Sequence, residues 1–339
     1  MSNRLSSRVV LMGDPTYFSI RGGANPHTRT IWGKRKKVDR IKAIAQWRAF
    51  ARLLTQFGVR VLVVPPDPTW TGLVYPANAG FLFPLDAPTP IPTKTFCLAN
   101  LLSSRAGEQP IYDQFLRRCG FRTARLHARF EGEADFFPVG ERYFFTYGRV
   151  EVQRFRFRLG VPPYERVYGF RSEIGALAEL QQMAGDVEVV PLELRDEAYY
   201  HGDTALCAFG PSRQFVLAYL EALMPEACSR LQDSLKDAII PLNTADAALY
   251  AANSFTLEKE DASYLFMPTG VSERLLAQIR ERGVEPVTVE VSEFLRKGGG
   301  AVKCMIGDLG LNEETGLSEE QRKFRSERDY VTLFPEGEE

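Results

Sequence analysis

The chain of 339 residues is poor in histidine, has few cysteines and carries almost no net charge: three His, five Cys and a formal charge of −1. Each shortage excludes something. A reaction that needs a histidine has only His27, His127 and His201 to choose from. The cysteines, Cys97, Cys119, Cys207, Cys228 and Cys304, are odd in number, scattered and without a CxxC pair. That argues against a disulfide framework and a structural zinc site, and it fits a reducing cytoplasm. A charge near zero offers no whole-molecule attraction for nucleic acid. No apolar run has the length of a membrane-spanning helix. Neither nucleic acid nor membrane is therefore an expected partner. Arg8–Met12 already reads as a strand, with no apolar leader behind a basic start, so export is not expected.

What is present is an ordinary globular composition, 45% hydrophobic and 25% charged. The length allows two average domains or one large one, at roughly 100–200 residues each. Strands and helices alternate. Val38, Ile41, Ile44, Trp47, Ala51, Leu54 and Phe57 recur every three to four positions, as on one face of a helix, and Gly58 stops it. Val59–Val64 follows as a strand. Thr93–Leu98 is another strand, and a helix over Gln109–Cys119 stops at Gly120. A helix capped by Ser172 runs to Ala184 before a strand at Val187–Val190. One capped by Ser272 runs to Arg282 before a strand at Val287–Val291. Such returns define an α/β fold with a repeated unit, although no sequence repeat is evident.

Three stretches depart from this rhythm. Arg149, Arg154, Arg156, Arg158 and Arg166 lie among aromatics and read as an inserted hairpin over 149–166, its arginines solvated or lining a binding surface. Lys34-Arg35-Lys36-Lys37 precedes a helix N-terminus, where the dipole does not favour it, and reads as a solvated loop or an anion collector. After Leu309 the chain is charged and poor in apolar residues, so partial disorder or a surface strap is expected. Residues 1–310 then form one domain and 311–339 a charged tail.

Four pieces carry chemistry. Cys304 closes Gly298-Gly299-Gly300-Ala301-Val302-Lys303-Cys304. Consecutive glycines allow positive φ and close approach of another group, and Lys303 would favour the nucleophilic thiolate. The alternative is a buried small hydrophobe. His201 and Asp203 follow a strand-like segment, which would put both on one side of an extended chain. The imidazole can move protons near neutral pH and the aspartate can hold a cation, or the pair is an ordinary turn. Glu131-Gly132-Glu133-Ala134-Asp135 lies between Phe130 and Phe136, and acids so confined need a cationic partner or a raised pKa, unless this too is a polar turn. Asn78, in Tyr75-Pro76-Ala77-Asn78-Ala79-Gly80, marks an irregular loop of ordinary turn residues. His127, in an alternating strand pattern, and His27, after Asn25-Pro26, are secondary candidates.

Taken in order, these pieces resemble the guanidino-group modifying enzymes of the pentein superfamily. That group comprises arginine deiminases, dimethylarginine dimethylaminohydrolases, arginine dihydrolases and amidinotransferases. Met12-Gly13-Asp14-Pro15-Thr16-Tyr17-Phe18, Asn25-Pro26 and Gly169-Phe170-Arg171-Ser172 add to the match, which runs from Val9 to Leu309. The resemblance implies a closed propeller of five ββαβ units around a central active site. It implies Cys304 as nucleophile, His201 as general acid/base and Glu131 as the carboxylate that orients the histidine. Glu133 competes for that last role, because this motif is one residue longer than in shorter family members. Glu133 and Asp135 are otherwise grouped with the substrate-binding residues. Asp203 is implied as a guanidinium ligand, and Asn78 falls where deiminases carry a second guanidinium-binding aspartate. Arg171, and with it Arg105 in Ser104-Arg105-Ala106-Gly107-Glu108, is implied to pair with a substrate carboxylate. Gly72 departs from the aspartate usual there in dimethylarginine hydrolases, and Tyr75-Pro76 departs from the familiar Phe-Thr. Asn78, lacking a charge, is closer to the dihydrolase type.

The residue types suit the chemistry. A guanidinium is flat and cationic, and carboxylates can grip its N–H edges. A thiolate can attack its central carbon, and a histidine can protonate the leaving amine and then activate water. The expected function is cysteine-dependent hydrolysis of a small guanidino substrate without metal or organic cofactor. An amidinotransferase passing the group to an amine is the alternative, and a non-catalytic binding module is the third reading. A homodimer is left open.

Overall fold

The computed structural model describes residues 7–20, 36–153 and 166–335. Its plan is a single unit used five times. In each, two antiparallel strands are followed by a helix, and the chain returns on a third strand parallel to the second. Gly80–Phe83, Thr95–Leu98, helix Glu108–Arg118 and Arg122–Arg125 make one unit. Phe136–Val139, Arg142–Tyr147, helix Ala176–Ala184 and Val189–Glu193 make the next. Leu206–Phe209, Phe215–Ala218, helix Pro225–Leu235 and Ile239–Pro241 follow. Phe255–Glu258, Ser263–Pro268, helix Glu273–Glu281 and Val284–Val289 come after them. The remaining unit joins Ser7–Gly13 to Gly307–Glu313, antiparallel, with helix Arg40–Gln56 and Arg60–Val64. One sheet is thus built from segments 300 residues apart, with Val10 opposite both Asp308 and Val61.

Local chemistry explains these elements. Asp39 caps helix Arg40–Gln56 by accepting from Lys42 N, and Gly58, at φ +74°, ends it. Its buried face is Ala43, Trp47, Phe50, Ala51 and Leu54, whereas Ile41, counted in the expected stripe, is 85% exposed. Ala43 and Phe50 take the buried face, and Ile41, two positions before Ala43, lies roughly 200° round the helix axis from it. Ser272 caps its helix as expected, by accepting from Leu275 N. Ser172 does not cap a helix. Helix Ala176–Ala184 starts later, and the Ser172 hydroxyl donates to Asp135 Oδ2 at 2.7 Å instead. In the stretch read as an inserted hairpin, Val150–Gln153 and Arg166–Gly169 pair antiparallel, while Arg154, Arg156 and Arg158 lie outside the described residues. So do His27, Lys34 and Arg35. Lys36 donates to Arg296 O at 2.7 Å and Lys297 to Lys37 O at 3.0 Å, so the described part of the basic run is tied to the segment before Cys304. No helix among the described residues is long and apolar enough to cross a membrane.

The described part of the charged tail, to residue 335, carries two helices. Ser318 opens helix Glu319–Glu327 with a reciprocal capping box, and Tyr330–Leu333 adds another turn. A few apolar anchors suffice. Phe324 is buried against Phe115, ring centroids 5.3 Å apart, and Tyr330 packs beside Trp47. The strap expectation therefore fits and the disorder expectation does not. The boundary at 310 also falls inside strand Gly307–Glu313. Phe324→Ala should cost about 3 kcal/mol of stability by urea unfolding, the range for a buried phenylalanine. A loss below roughly 0.5 kcal/mol, the level of a surface substitution, would show that the strap is not part of the core.

Candidate active site

Every unit presents a chemically distinctive residue in the short stretch just before its first strand. Asn78 precedes Gly80–Phe83, Glu131 precedes Phe136–Val139 and His201 precedes Leu206–Phe209. Asn253 precedes Phe255–Glu258, and Cys304 precedes Gly307–Glu313. Repetition of the fold gathers residues that are far apart in sequence. Cys304, His201, Glu131, Asn78, Arg105 and Arg171 all line one cavity of about 160 Å³.

His201 Nε2 lies 2.8 Å from Glu131 Oε2, with both side chains buried. Glu131 is anchored by the amide of Leu102, which donates to Oε1 at 3.3 Å. Burial pushes the Glu131 carboxyl up. The His201 hydrogen bond and the positive charges of Arg171 and Arg105 outweigh that and hold it at about 2. With Nε2 held by the carboxylate, Nδ1 is the nitrogen left to exchange protons with a substrate.

The nucleophile end is organised by Asn253, which sequence reasoning missed. Its Oδ1 accepts from the amides of Ala301, at 2.9 Å, and Cys304, at 3.1 Å. Its Nδ2 donates to Cys304 Sγ and to Asp203 O, each at 3.1 Å. The glycines before Cys304 have a steric purpose. A Cβ on Gly298 would sit 1.7 Å from Tyr75 Oη, and one on Gly300 would sit 2.7 Å from Tyr75 Cε1. Gly299, at φ +81°, takes the left-handed region that glycine tolerates, and its carbonyl accepts from Tyr200 Oη at 2.8 Å. A signal for Asn253 was available, because Tyr75-Pro76-Ala77-Asn78 and Tyr250-Ala251-Ala252-Asn253 are echoes at equivalent places in two units. Glu131-Gly132-Glu133 and His201-Gly202-Asp203 are a second such pair.

That second echo explains which acids reach the cavity. The first member of each, Glu131 or His201, faces it. The third, Glu133 or Asp203, turns to a smaller cavity behind Cys304. Asp203 Oδ2 is 3.5 Å from Cys304 Sγ, and Asp203 Oδ1 is buried with no hydrogen-bond partner among the described residues. Burial pushes its carboxyl from 3.8 to about 6, against the pull of His201 and Lys303. Burial and the neighbouring Asp203 also push the Cys304 thiol well above its ordinary value.

Several sequence expectations need correction. Glu133 does not orient the histidine and does not line the main cavity. It pairs with Lys303 at 2.8 Å and accepts from Asp308 N at 2.7 Å. Lys303 consequently serves Glu133, not the thiolate of its neighbour. Asp135 is a structural hub, accepting from Thr146, Ser172 and Gly202 N, and it holds the two echoed turns together. Asn78 gives its oxygen to Arg105 Nη1 at 2.6 Å, so its N–H₂ edge faces His201 and Glu131, each contact 3.5 Å. One of the two lone pairs of that oxygen is thereby taken. Arg105 lines the cavity, but its Nε and Nη2 are spent on Glu108 and its Nη1 on Asn78, so it has no fork to offer a carboxylate. Arg171 is buried at the cavity with its guanidinium 4.9 Å from the Tyr200 ring centroid. His127 is exposed beside Glu179 and remote in role.

The fold is of the pentein kind. Residues 169–311 match the family described as N,N dimethylarginine dimethylhydrolase, eukaryotic. The chain is 29% identical over 299 residues to N(G),N(G)-dimethylarginine dimethylaminohydrolase of Mycobacterium tuberculosis, covering 88% of this chain and 84% of that one. It is 26% identical over 307 residues to the bifunctional arginine dihydrolase/ornithine cyclodeaminase AgrE of Nostoc sp., covering 89% of this chain but only 38% of that protein's length. The substrate-bound N-terminal domain of the cyanobacterial arginine dihydrolase ArgZ superposes with TM-score 0.73 at 23% identity, over 90% of this chain and 99% of that one. A dimethylarginine dimethylaminohydrolase adduct with 4-chloro-2-hydroxymethylpyridine superposes with TM-score 0.61 at 17% identity, over 89% of this chain and 99% of that one. The family model and these relatives make the chain similar to guanidino-group modifying enzymes.

The buried Asp203 makes a stability prediction. Its carboxyl protonates more easily in the folded than in the unfolded chain, so ionisation costs the folded state nothing below about pH 4 and up to about 3 kcal/mol above about pH 6. Asp203→Asn should therefore be more stable than the parent at about pH 8 and equally stable at about pH 4, by urea unfolding. The same difference at both pH values would refute the unmet charge.

Proposed function

We propose that the chain is a cysteine-dependent hydrolase of the guanidino group of arginine or an arginine-like compound. The observation that carries this reading is the unpartnered buried oxygen of Asp203 beside Cys304, whose sulfur lies at the cavity that also holds a glutamate-bound imidazole. Leaving an ionised acceptor dry is costly, and a guanidinium N–H meets that need. The relatives that act on dimethylarginine and arginine support the same reading.

In this reading the substrate completes the site. Unliganded, Cys304 is held as a thiol by burial and by Asp203. A bound guanidinium cancels the Asp203 charge and favours the thiolate, which Asn253 Nδ2 steadies by donation. Sulfur attacks the central carbon and His201 delivers a proton to the departing amine as the C–N bond breaks. His201 then takes a proton from water, which attacks the amidino-thioether and releases the sulfur. Glu131 keeps the imidazole oriented and stabilises its charged form in both steps. Asn78 brings no second negative charge, as in the dihydrolase type. The five free cysteines support a reducing cytoplasm as the place of action.

Incubation with L-arginine should yield citrulline or ornithine with ammonia, and Cys304→Ala should lose at least about 10⁴-fold in kcat while unfolding at the parent's urea midpoint, as expected for loss of a covalent nucleophile. Retained turnover in that variant would remove Cys304 from the mechanism. A new guanidino product appearing only with an added primary amine would make the chain an amidinotransferase.

A further inference from the structure

Resting on the reading of Asp203 as the acceptor of the guanidinium, we propose that Glu133 is a positioning residue that draws the Lys303 ammonium away from Asp203 and keeps that carboxylate open for the substrate. Asp203, Glu133, Lys303 and Arg213 line the smaller cavity together, around a space of about 30 Å³. Two acids and two cations there have enough charge to cancel pairwise. Asp203 Oδ1 nevertheless has no hydrogen-bond partner among the described residues. A buried carboxylate that shares a cavity with an ammonium pairs with it unless something holds the ammonium elsewhere.

Each cation near Asp203 is held by an acid of its own. His201 is bound to Glu131 at 2.8 Å. Lys303 Nζ lies 2.8 Å from Glu133 Oε1 and donates to Ile306 O at 3.3 Å. Arg213 Nε donates to Asp86 at 3.2 Å and its Nη2 to Asp308 at 3.3 Å, and the same two acids also take Arg8. The amide of Asp308 donates to Glu133 Oε1 at 2.7 Å, so the acid that holds Lys303 is itself fixed. The two glutamates of one turn, Glu131 and Glu133, thus engage the imidazole and the ammonium. Of the two acids in the smaller cavity, Asp203 is the one left without a cation among the described residues.

Lys303 is the competitor that matters. It precedes Cys304, whose sulfur is 3.5 Å from Asp203 Oδ2. Burial raises the Asp203 carboxyl, and the charges of His201 and Lys303 already pull against that rise. A lysine ammonium is a point charge on a flexible four-carbon stem and turns within a small cavity, whereas Arg213 is a planar fork committed at two places. Released from Glu133, the ammonium would settle on Asp203. A guanidinium would then have to displace a buried ion pair to reach its acceptor.

Calorimetric binding of L-arginine to Cys304→Ala reads the effect without turnover. In that background Glu133→Gln, which keeps an acceptor for Asp308 N and removes the charge, should weaken arginine about 10- to 100-fold, the range for a hydrogen bond to a charged group. Lys303→Met should not weaken it, and adding Lys303→Met to Glu133→Gln should restore the parent affinity. An ion pair that only supports the fold predicts losses from both changes and no rescue, and that result overturns the proposal. With Cys304 intact, the loss in Glu133→Gln should fall on KM and not on kcat. A second measurement needs no substrate. The stabilisation expected of Asp203→Asn at about pH 8 should vanish in Glu133→Gln, because Lys303 then meets the charge, and should return when Lys303→Met is added. An undiminished gain in Glu133→Gln overturns the proposal. Should Glu133→Gln not fold, Lys303→Met alone decides: arginine affinity at or above the parent's supports the proposal, and a loss of about tenfold overturns it by making the ammonium part of the substrate site. Absence of binding and turnover with every guanidine would sink the hydrolase reading instead, and the urea comparison would still decide the role of Glu133.

Discussion

A carboxylate held 3.5 Å from a thiol, both buried, with one carboxylate oxygen facing no donor, is an arrangement that folding alone does not favour. Two negative charges cannot share that space without a cation, so in the empty site burial raises both groups and keeps the sulfur protonated. The strain is local and is offset by hydrophobic clusters that between them span all five units. A cation placed beside Asp203 would offset its charge and favour the thiolate of Cys304. Three further cysteines, Cys97, Cys119 and Cys207, are buried with thiols raised to about 12, and none has this arrangement of partners.

The fold sustains such an arrangement through repetition. Each unit ends a helix, returns on a parallel strand and enters the next unit through a short turn. Those turns carry Asn78, Glu131, His201, Asn253 and Cys304. Polar residues there meet one another instead of solvent, which is why Asp135 can bond to both echoed turns and why Asn253 can hold the loop of Cys304. The sheet joining Ser7–Gly13 to Gly307–Glu313 supplies the last turn, so the nucleophile depends on pairing between distant parts of the chain. Tyr75 and Tyr200 press the glycine segment into place from two sides.

Much of this was legible in the residues. Helix Arg40–Gln56 follows from its periodicity and Gly58, and the Ser272 cap from its position. Cys304, His201 and Glu131 emerged from the order of their motifs. What failed to show was what depends on packing between units. Ser172 looks like a helix cap because local sequence cannot reveal Asp135 across the unit. Glu133 and Glu131 are indistinguishable until a turn sends one to each side. Lys303 beside Cys304 suggested a thiolate partner, but its side chain points to Glu133. Asn253 was visible in principle, through a four-residue echo too short to find without the fold.

The most direct measurement is an ultraviolet titration of the Cys304 thiolate, taken as the difference between the protein and Cys304→Ser, with and without an unreactive guanidinium ligand. The account predicts a thiol that stays protonated well above neutral pH in the empty protein and ionises at markedly lower pH when the ligand is bound. A thiolate already present at neutral pH without ligand, or a titration the ligand does not move, would contradict it.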